Sequence, residues 1–183
     1  MHYRTIFVQK LFKKYELSAV IRIISKMAFY ETGSKKFWRG CMVLFNKIME
    51  NPSVIEDLDH EDQNNFIINC FSATKVGIVN DFVQKKLIDL ALIALARNRW
   101  PIKTIHALTT CLYKNRIGED VLWYGIEQKI LAINFKKIKS PFLFEKLKKI
   151  GEIFAKMRKG TFMLWRSLDE MNLYETDSVY PKI

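Results

Sequence analysis

Residues that punctuate a chain are scarce here, with only seven glycines and four prolines in 183 residues. No stretch shows sustained two-residue alternation bounded by turn signals, so a β-sheet is not expected. Cysteine is limited to Cys41, Cys70 and Cys111. An odd number without a C-x-x-C pair argues against a disulfide frame or a zinc site. Each lies among apolar neighbours, which predicts buried, reduced thiols and a reducing compartment such as cytosol, nucleus or mitochondrial matrix. The three histidines, His2, His60 and His106, are far apart, and none has a helical metal-ligand partner. The longest apolar run, Leu87 to Ala96, contains Asp89 and is too short to span a bilayer. The N-terminus lacks the apolar core of a secretory signal. Phosphate-loop, dinucleotide and nucleophile-elbow motifs are all missing. Paired carboxylates occur only in the block around Glu56, Asp57, Asp59 and Glu61, which reads as a solvated helix start. No nucleophile has a plausible base, so catalysis, a cofactor, a metal and a small-molecule substrate are not expected.

Acid is also in short supply, with 19 Asp and Glu against 30 Lys and Arg and a net charge of +11. That excess predicts an anionic partner, nucleic acid or an anionic membrane surface, unless the basic surface serves only solubility. Apolar residues make up 49% of the chain, enough for a packed core and against intrinsic disorder.

The few glycines carry a pattern. Gly33, Gly77, Gly118 and Gly160 are 44, 41 and 42 positions apart. Three of them stand five residues before a tryptophan, namely Trp38, Trp123 and Trp165, and Val83 takes the equivalent place after Gly77. Gly40 and Gly125 also match each other. A period near 40 residues marks stacked repeats. Apolar residues at three-and-four spacing flank each glycine: Val20, Ile21, Ile24 and Met27 before the first, Trp38, Cys41, Phe45 and Ile48 after it. Each stripe predicts a helix with one buried face. The glycine is expected to supply the left-handed C-terminal stop between two helices. Pro52, Pro101 and Pro141 precede helical pattern and are expected in first turns, with Asn51 and Ser140 as N-caps. His60, Glu61 and Asp62 read as a helix start with first-turn acids.

The expected fold is all-α, a short right-handed α-solenoid of about four hairpins at 17–50, 58–98, 101–135 and 141–174. Residues 175–183 form a tail. Residues 1–16 read as a basic amphipathic helix or a presequence-like segment, because Arg4, Lys10, Lys13 and Lys14 precede any acid. The tryptophans are in register with the apolar stripe, which favours core positions over base stacking. Hairpin two, with Val83 and the acidic entry, is the divergent one.

Basic charge concentrates in two windows. Between Asp89 and Glu119 the chain has no acid and carries Arg97, Arg99, Lys103, Lys114 and Arg116. From Lys136 to Lys159 only Glu145 and Glu152 oppose a run that includes Lys136, Lys137, Lys139, Lys156, Arg158 and Lys159. Lys114 and Lys156 lie nine residues before their tryptophans, and Lys75 lies eight before Val83. Equivalent positions line up in a stacked array, so these three lysines predict a ladder suited to a phosphate backbone. The alternative is that they complement helix C-termini. Arg97 with Arg99, and Lys136 with Lys137 and Lys139, fall in the connections between hairpins and predict a second contact line.

The hairpin length, with Ile23-Ile24-Ser25-Lys26, a glycine turn and then Phe37-Trp38, resembles the heptatricopeptide- and octotricopeptide-type repeats of organellar RNA-binding proteins, the FAST-kinase-like and RAP-protein group. The resemblance covers about Leu17 to Tyr174, through degenerate motifs. The spacing is longer than that group's usual repeat, and no RAP-like domain follows Tyr174. It implies a mitochondrial matrix, RNA-associated role. The expected function is a non-catalytic structural subunit of a mitochondrial ribonucleoprotein, foremost the ribosome, contacting rRNA and neighbouring proteins. Two other readings stand beside it: a HEAT-type protein-interaction scaffold, and an accessory subunit of a mitochondrial membrane complex anchored through its N-terminal helix.

Overall fold

A computed structural model of the chain describes residues 16–30, 32–74 and 81–170. Among these residues the structure is all-helical, with no strand. Nine α-helices follow in order: α1 (Leu17–Phe29), α2 (Lys35–Met49), α3 (Pro52–Glu56), α4 (His60–Thr74), α5 (Asp81–Arg97), α6 (Ile102–Lys114), α7 (Asp120–Leu131), α8 (Pro141–Met157) and α9 (Phe162–Asp169). A 3-10 turn at Phe135–Lys137 leads into α8. Lys75, Gly77, the side chain of Lys136 and the segments 1–15 and 171–183 lie outside the described residues.

The chain divides into two compact units, Met1–Ala94 and Leu95–Ile183. In the first, α1 packs on α4, and α2 packs on both α3 and α4. Phe45 meets Phe66 edge-to-face at 5.3 Å, and both rings are buried with Ile21, Ile67 and Phe71. In the second, α6 packs on α8, α7 on α9, and α6 on α7. Trp123 stands edge-on to Phe154 at 5.0 Å in a core that includes Leu108, Leu112, Ile126 and Ile150. The three repeat tryptophans are buried, as their place in the apolar stripe requires. So are the three free thiols. Burial pushes the Cys41 thiol up to about 12.

The glycine-to-tryptophan spacing has a different cause from the one the sequence suggests. The left-handed residue that stops α6 is Arg116 (φ 56°), and the one that stops α8 is Arg158 (φ 54°), each two positions before the glycine. Arg116 N–H donates to the Tyr113 carbonyl, and Ile117 N–H to Leu112. Arg158 N–H donates to Ala155, and Lys159 N–H to Phe154. These paired bonds close a Schellman motif, with arginine where glycine is usual. After α1, Thr32 N–H donates to Met27 in the same way. The residue just before the glycine then turns its carbonyl toward the tryptophan. Trp38 Nε1 donates to Thr32 O at 3.1 Å, and Trp123 Nε1 to Ile117 O at 2.9 Å. The indole therefore satisfies a turn carbonyl while its ring fills the core.

The glycines serve this contact unequally. Gly33 (φ 104°) and Gly160 (φ 98°) have positive φ, and a Cβ at either would approach the following indole nitrogen to 2.9 and 3.2 Å. A Cβ at Gly118 meets nothing within 4 Å, and its φ is ordinary. Gly160→Ala is thus expected to lose about 1–2 kcal/mol, whereas Gly118→Ala stays within about 0.5 kcal/mol of the parent. Urea denaturation of the two variants checks the contrast. Equal losses would disprove it.

The prolines also divide. Pro52 and Pro141 occupy first turns, but Pro101 is the N-cap residue of α6. Asn51 and Ser140 hold N-cap positions without a side-chain capping bond, while Ser34 accepts from Phe37 N–H at 3.2 Å. Pro52 opens only the five-residue α3 that connects α2 to α4.

The acidic entry to α4 is not merely a solvated helix start. Asp59 Oδ1 accepts from Asp62 N–H at 2.7 Å, which caps the helix. Asp62 itself is 1% exposed and accepts from both Nε and an Nη of Arg22 on α1, each at 3.1 Å. This fork-to-fork pair raises the guanidinium further above its ordinary range. About two turns further along, buried Asn69 donates to the Ile21 carbonyl at 3.0 Å and accepts from Ser25. Together these polar contacts fix the register of α1 on α4.

Candidate nucleic-acid interface

The α6/α8 pair in the second unit gathers most of the basic chemistry. Leu147, Ile150 and Phe154 point α8 into the core alongside Ile105, Leu108 and Leu112 of α6. Helical spacing then leaves Phe142, Lys146, Lys149 and Lys156 on another face of α8, and Lys103, His106 and Tyr113 on another face of α6. The two sets meet. Lys103 Nζ lies 5.2 Å from the Phe142 ring centre and Lys146 Nζ lies 5.3 Å from it. At the other end Lys156 Nζ lies 5.9 Å from the Tyr113 ring. Phe142 is 53% exposed and Tyr113 38% exposed. The pairings ascend together along both helices, so α6 and α8 run parallel.

Between these ends lies His106. Its own burial, then Lys146 and Lys149, lower its pKa to about 4. The ring is therefore neutral at pH 7 and offers hydrogen bonds without charge. Glu145 engages Lys149 at 3.5 Å, an exposed pair one helical turn apart. The face thus carries four ammonium groups, two exposed aromatic rings and a neutral imidazole.

The residues expected from sequence are distributed as follows. Lys103 and Lys114 lie on α6 and Lys156 lies on α8, where its ammonium covers the Tyr113 ring. Arg97 ends α5, and Arg99 precedes α6; both are exposed. Lys137 and Lys139 precede α8 and are exposed. Lys139 borders an open depression of about 550 Å³ formed with Ile138, Ser140, Pro141, Phe144, Glu145 and Lys148. Arg116 and Arg158 are set by their left-handed turns, with side chains outward. Lys159 is half-buried and its ammonium is ion-paired with Asp120, so it is spent within the unit.

Sequence reasoning placed His106 in the basic window without a role, missed Lys146 and Lys149 as individual members, and missed Phe142 and Tyr113 altogether. It also missed Glu127, a carboxylate 2% exposed that accepts from the N–H and hydroxyl of Thr161 at the start of α9. Glu127 ties α7 to the last turn and is structural. Among the described residues, no group of three His, Cys, Asp or Glu could hold a metal ion. No helix among them is long and apolar enough to cross a membrane. No known family, characterised protein or solved structure matches the chain, so the likeness to organellar RNA-binding repeats rests on its sequence pattern alone.

Proposed function

We propose that this chain is a non-catalytic RNA-binding protein, a structural subunit of a mitochondrial ribonucleoprotein and foremost of the mitochondrial ribosome. In this reading the four hairpins stack as a short right-handed α-solenoid. Support for stacking comes from within the second unit, where first helices pack on each other (α6 on α8) and second helices do the same (α7 on α9). The observation that carries the RNA reading is the α6/α8 face. It presents Lys103, Lys146, Lys149 and Lys156 with Glu145 as the acid engaged there, and phosphates are the complementary surface. The mitochondrial assignment rests on the family resemblance.

Salt and charge reversal test it. Affinity for RNA is expected to fall about tenfold or more between 50 and 200 mM salt, the behaviour of several phosphate contacts. The triple variant K103E/K149E/K156E is expected to reduce affinity by at least that factor, with unchanged helicity by circular dichroism. Binding that ignores both salt and charge reversal would sink the proposal.

A second reading, a protein-interaction scaffold, draws on one specific observation. Val121 and Tyr124 of α7 and Phe162 and Met163 of α9, two helices that pack together, are all more than half exposed. In a ribonucleoprotein subunit both surfaces have work, one toward RNA and one toward a neighbouring protein.

A further inference from the structure

Phe142 is placed where a core-seeking side chain has no business. It sits in the first turn of α8, 53% exposed, while the next turn of the same helix is directed inward through Leu147 and Ile150. Two ammonium groups from two helices converge on its ring, Lys103 from α6 and Lys146 from α8. A lone exposed phenylalanine needs no explanation, but one gripped by cations on a face short of acid has a specific chemistry. A base that stacks on the ring displaces an ammonium from over its face, and that ammonium is then beside the phosphate attached to the base. Lys103 to Tyr113 is ten residues of α6, about 15 Å along the axis. There the arrangement repeats with Tyr113 beneath Lys156.

We propose that Phe142, between Lys103 and Lys146, is a stacking surface for an unpaired nucleobase and makes the α6/α8 face selective for single-stranded RNA over duplex. This rests on the RNA-binding reading above and adds a requirement to it. A duplex presents phosphates to the lysines but keeps its base faces stacked within the helix, so it gains nothing from the ring. An acidic protein surface would likewise satisfy the lysines and ignore the ring. Only an unpaired strand brings a base face and a phosphate to the same spot. Tyr113 with Lys156 is the second such position, about 15 Å further along the strand.

The test uses the full chain, a fluorescein-labelled oligouridylate of about 12 nucleotides and an RNA duplex of equal length, followed by anisotropy. The parent protein is expected to prefer the single strand. Phe142→Ala is expected to weaken oligouridylate binding about tenfold, to leave duplex binding within about twofold, and to be rescued by Phe142→Trp. Because the ring is half-exposed, the melting temperature of the alanine variant should stay near the parent's, and that measurement separates lost stacking from lost folding. Lys103→Gln with Lys146→Gln should weaken both ligands. Oligouridylate binding unaffected by Phe142→Ala, or loss of both ligands to the same degree, overturns the inference. A parent protein that binds duplex and single strand equally, with salt-sensitive affinity, overturns it while leaving the RNA-binding reading intact. A parent protein that binds neither overturns both.

Discussion

Trp123→Ala is expected to destabilise the second unit by about 3–5 kcal/mol, the largest loss from any single substitution considered for this chain. Trp123 is 1% exposed and its ring closes edge-on against Phe154 at 5.0 Å. Truncation removes the transfer free energy of the ring and leaves a cavity between α7 and α8 that the neighbouring helices fill only in part. It also strips the Ile117 carbonyl of its indole donor. The bond itself is worth about 1 kcal/mol, so Trp123→Phe should retain most of the stability that alanine loses. In a chain of this size a 4 kcal/mol loss corresponds to a fall of roughly 10 °C in melting temperature. Trp38→Ala and Trp165→Ala should cost somewhat less, since those rings are 9% and 7% exposed. A Trp123→Ala variant that melts with the parent would show that the ring is not a core element.

Arg22→Ala is expected to destabilise the first unit and lower its denaturation midpoint, although Arg22 is itself a largely exposed residue. The loss comes through Asp62, which stays buried at 1% exposure after both guanidinium bonds have gone. The Asp62 carboxylate then loses its counter-ion, while the capping bond from the Asp62 backbone N–H to Asp59 remains. Asp59 cannot compensate, because it is a second negative group 3.9 Å from the same arginine. The double variant Arg22→Met with Asp62→Leu should recover much of the loss, since removing both partners leaves no orphan. Chemical denaturation across the double-mutant cycle distinguishes these outcomes. If the single and double variants were equally unstable, the cost would lie in packing and not in the stranded charge.

How much of this was legible beforehand depended on whether the information was local. The spacing from Gly33 to Trp38, and its recurrence at Gly118 and Gly160, located three turns between consecutive helices because the turn and the indole beside it lie within six residues. What the spacing did not reveal was which residue takes the left-handed conformation. Arg116 and Arg158 do so despite the side-chain penalty, since the Schellman bonds and the buried indole over-determine the backbone there. The Arg22–Asp62 pair spans 40 positions and leaves no local trace. An acid in a run of acids looks solvated until its partner helix is placed. The basic face was half legible. Charge counting found the windows that hold Lys103 and Lys156, but Phe142 reads as one more apolar residue after Pro141. Only the packing of α6 on α8 determines that its ring faces outward.

The indole-to-carbonyl bond has a consequence for how such a chain can lengthen. Both of its atoms belong to one hairpin, so a duplicated stretch of roughly 40 residues carries its own corner fastening and does not depend on what precedes it. The Arg22–Asp62 and Asn69–Ile21 ties join α1 to α4 across 40 or more residues of chain, so a new copy would have to re-establish them against a new neighbour. Growth by copying would keep corners uniform and let junctions drift. Among the described residues, glycine and tryptophan recur at three turns, whereas the ties between helices differ in their residues, Arg22–Asp62 in the first unit and Glu127–Thr161 in the second.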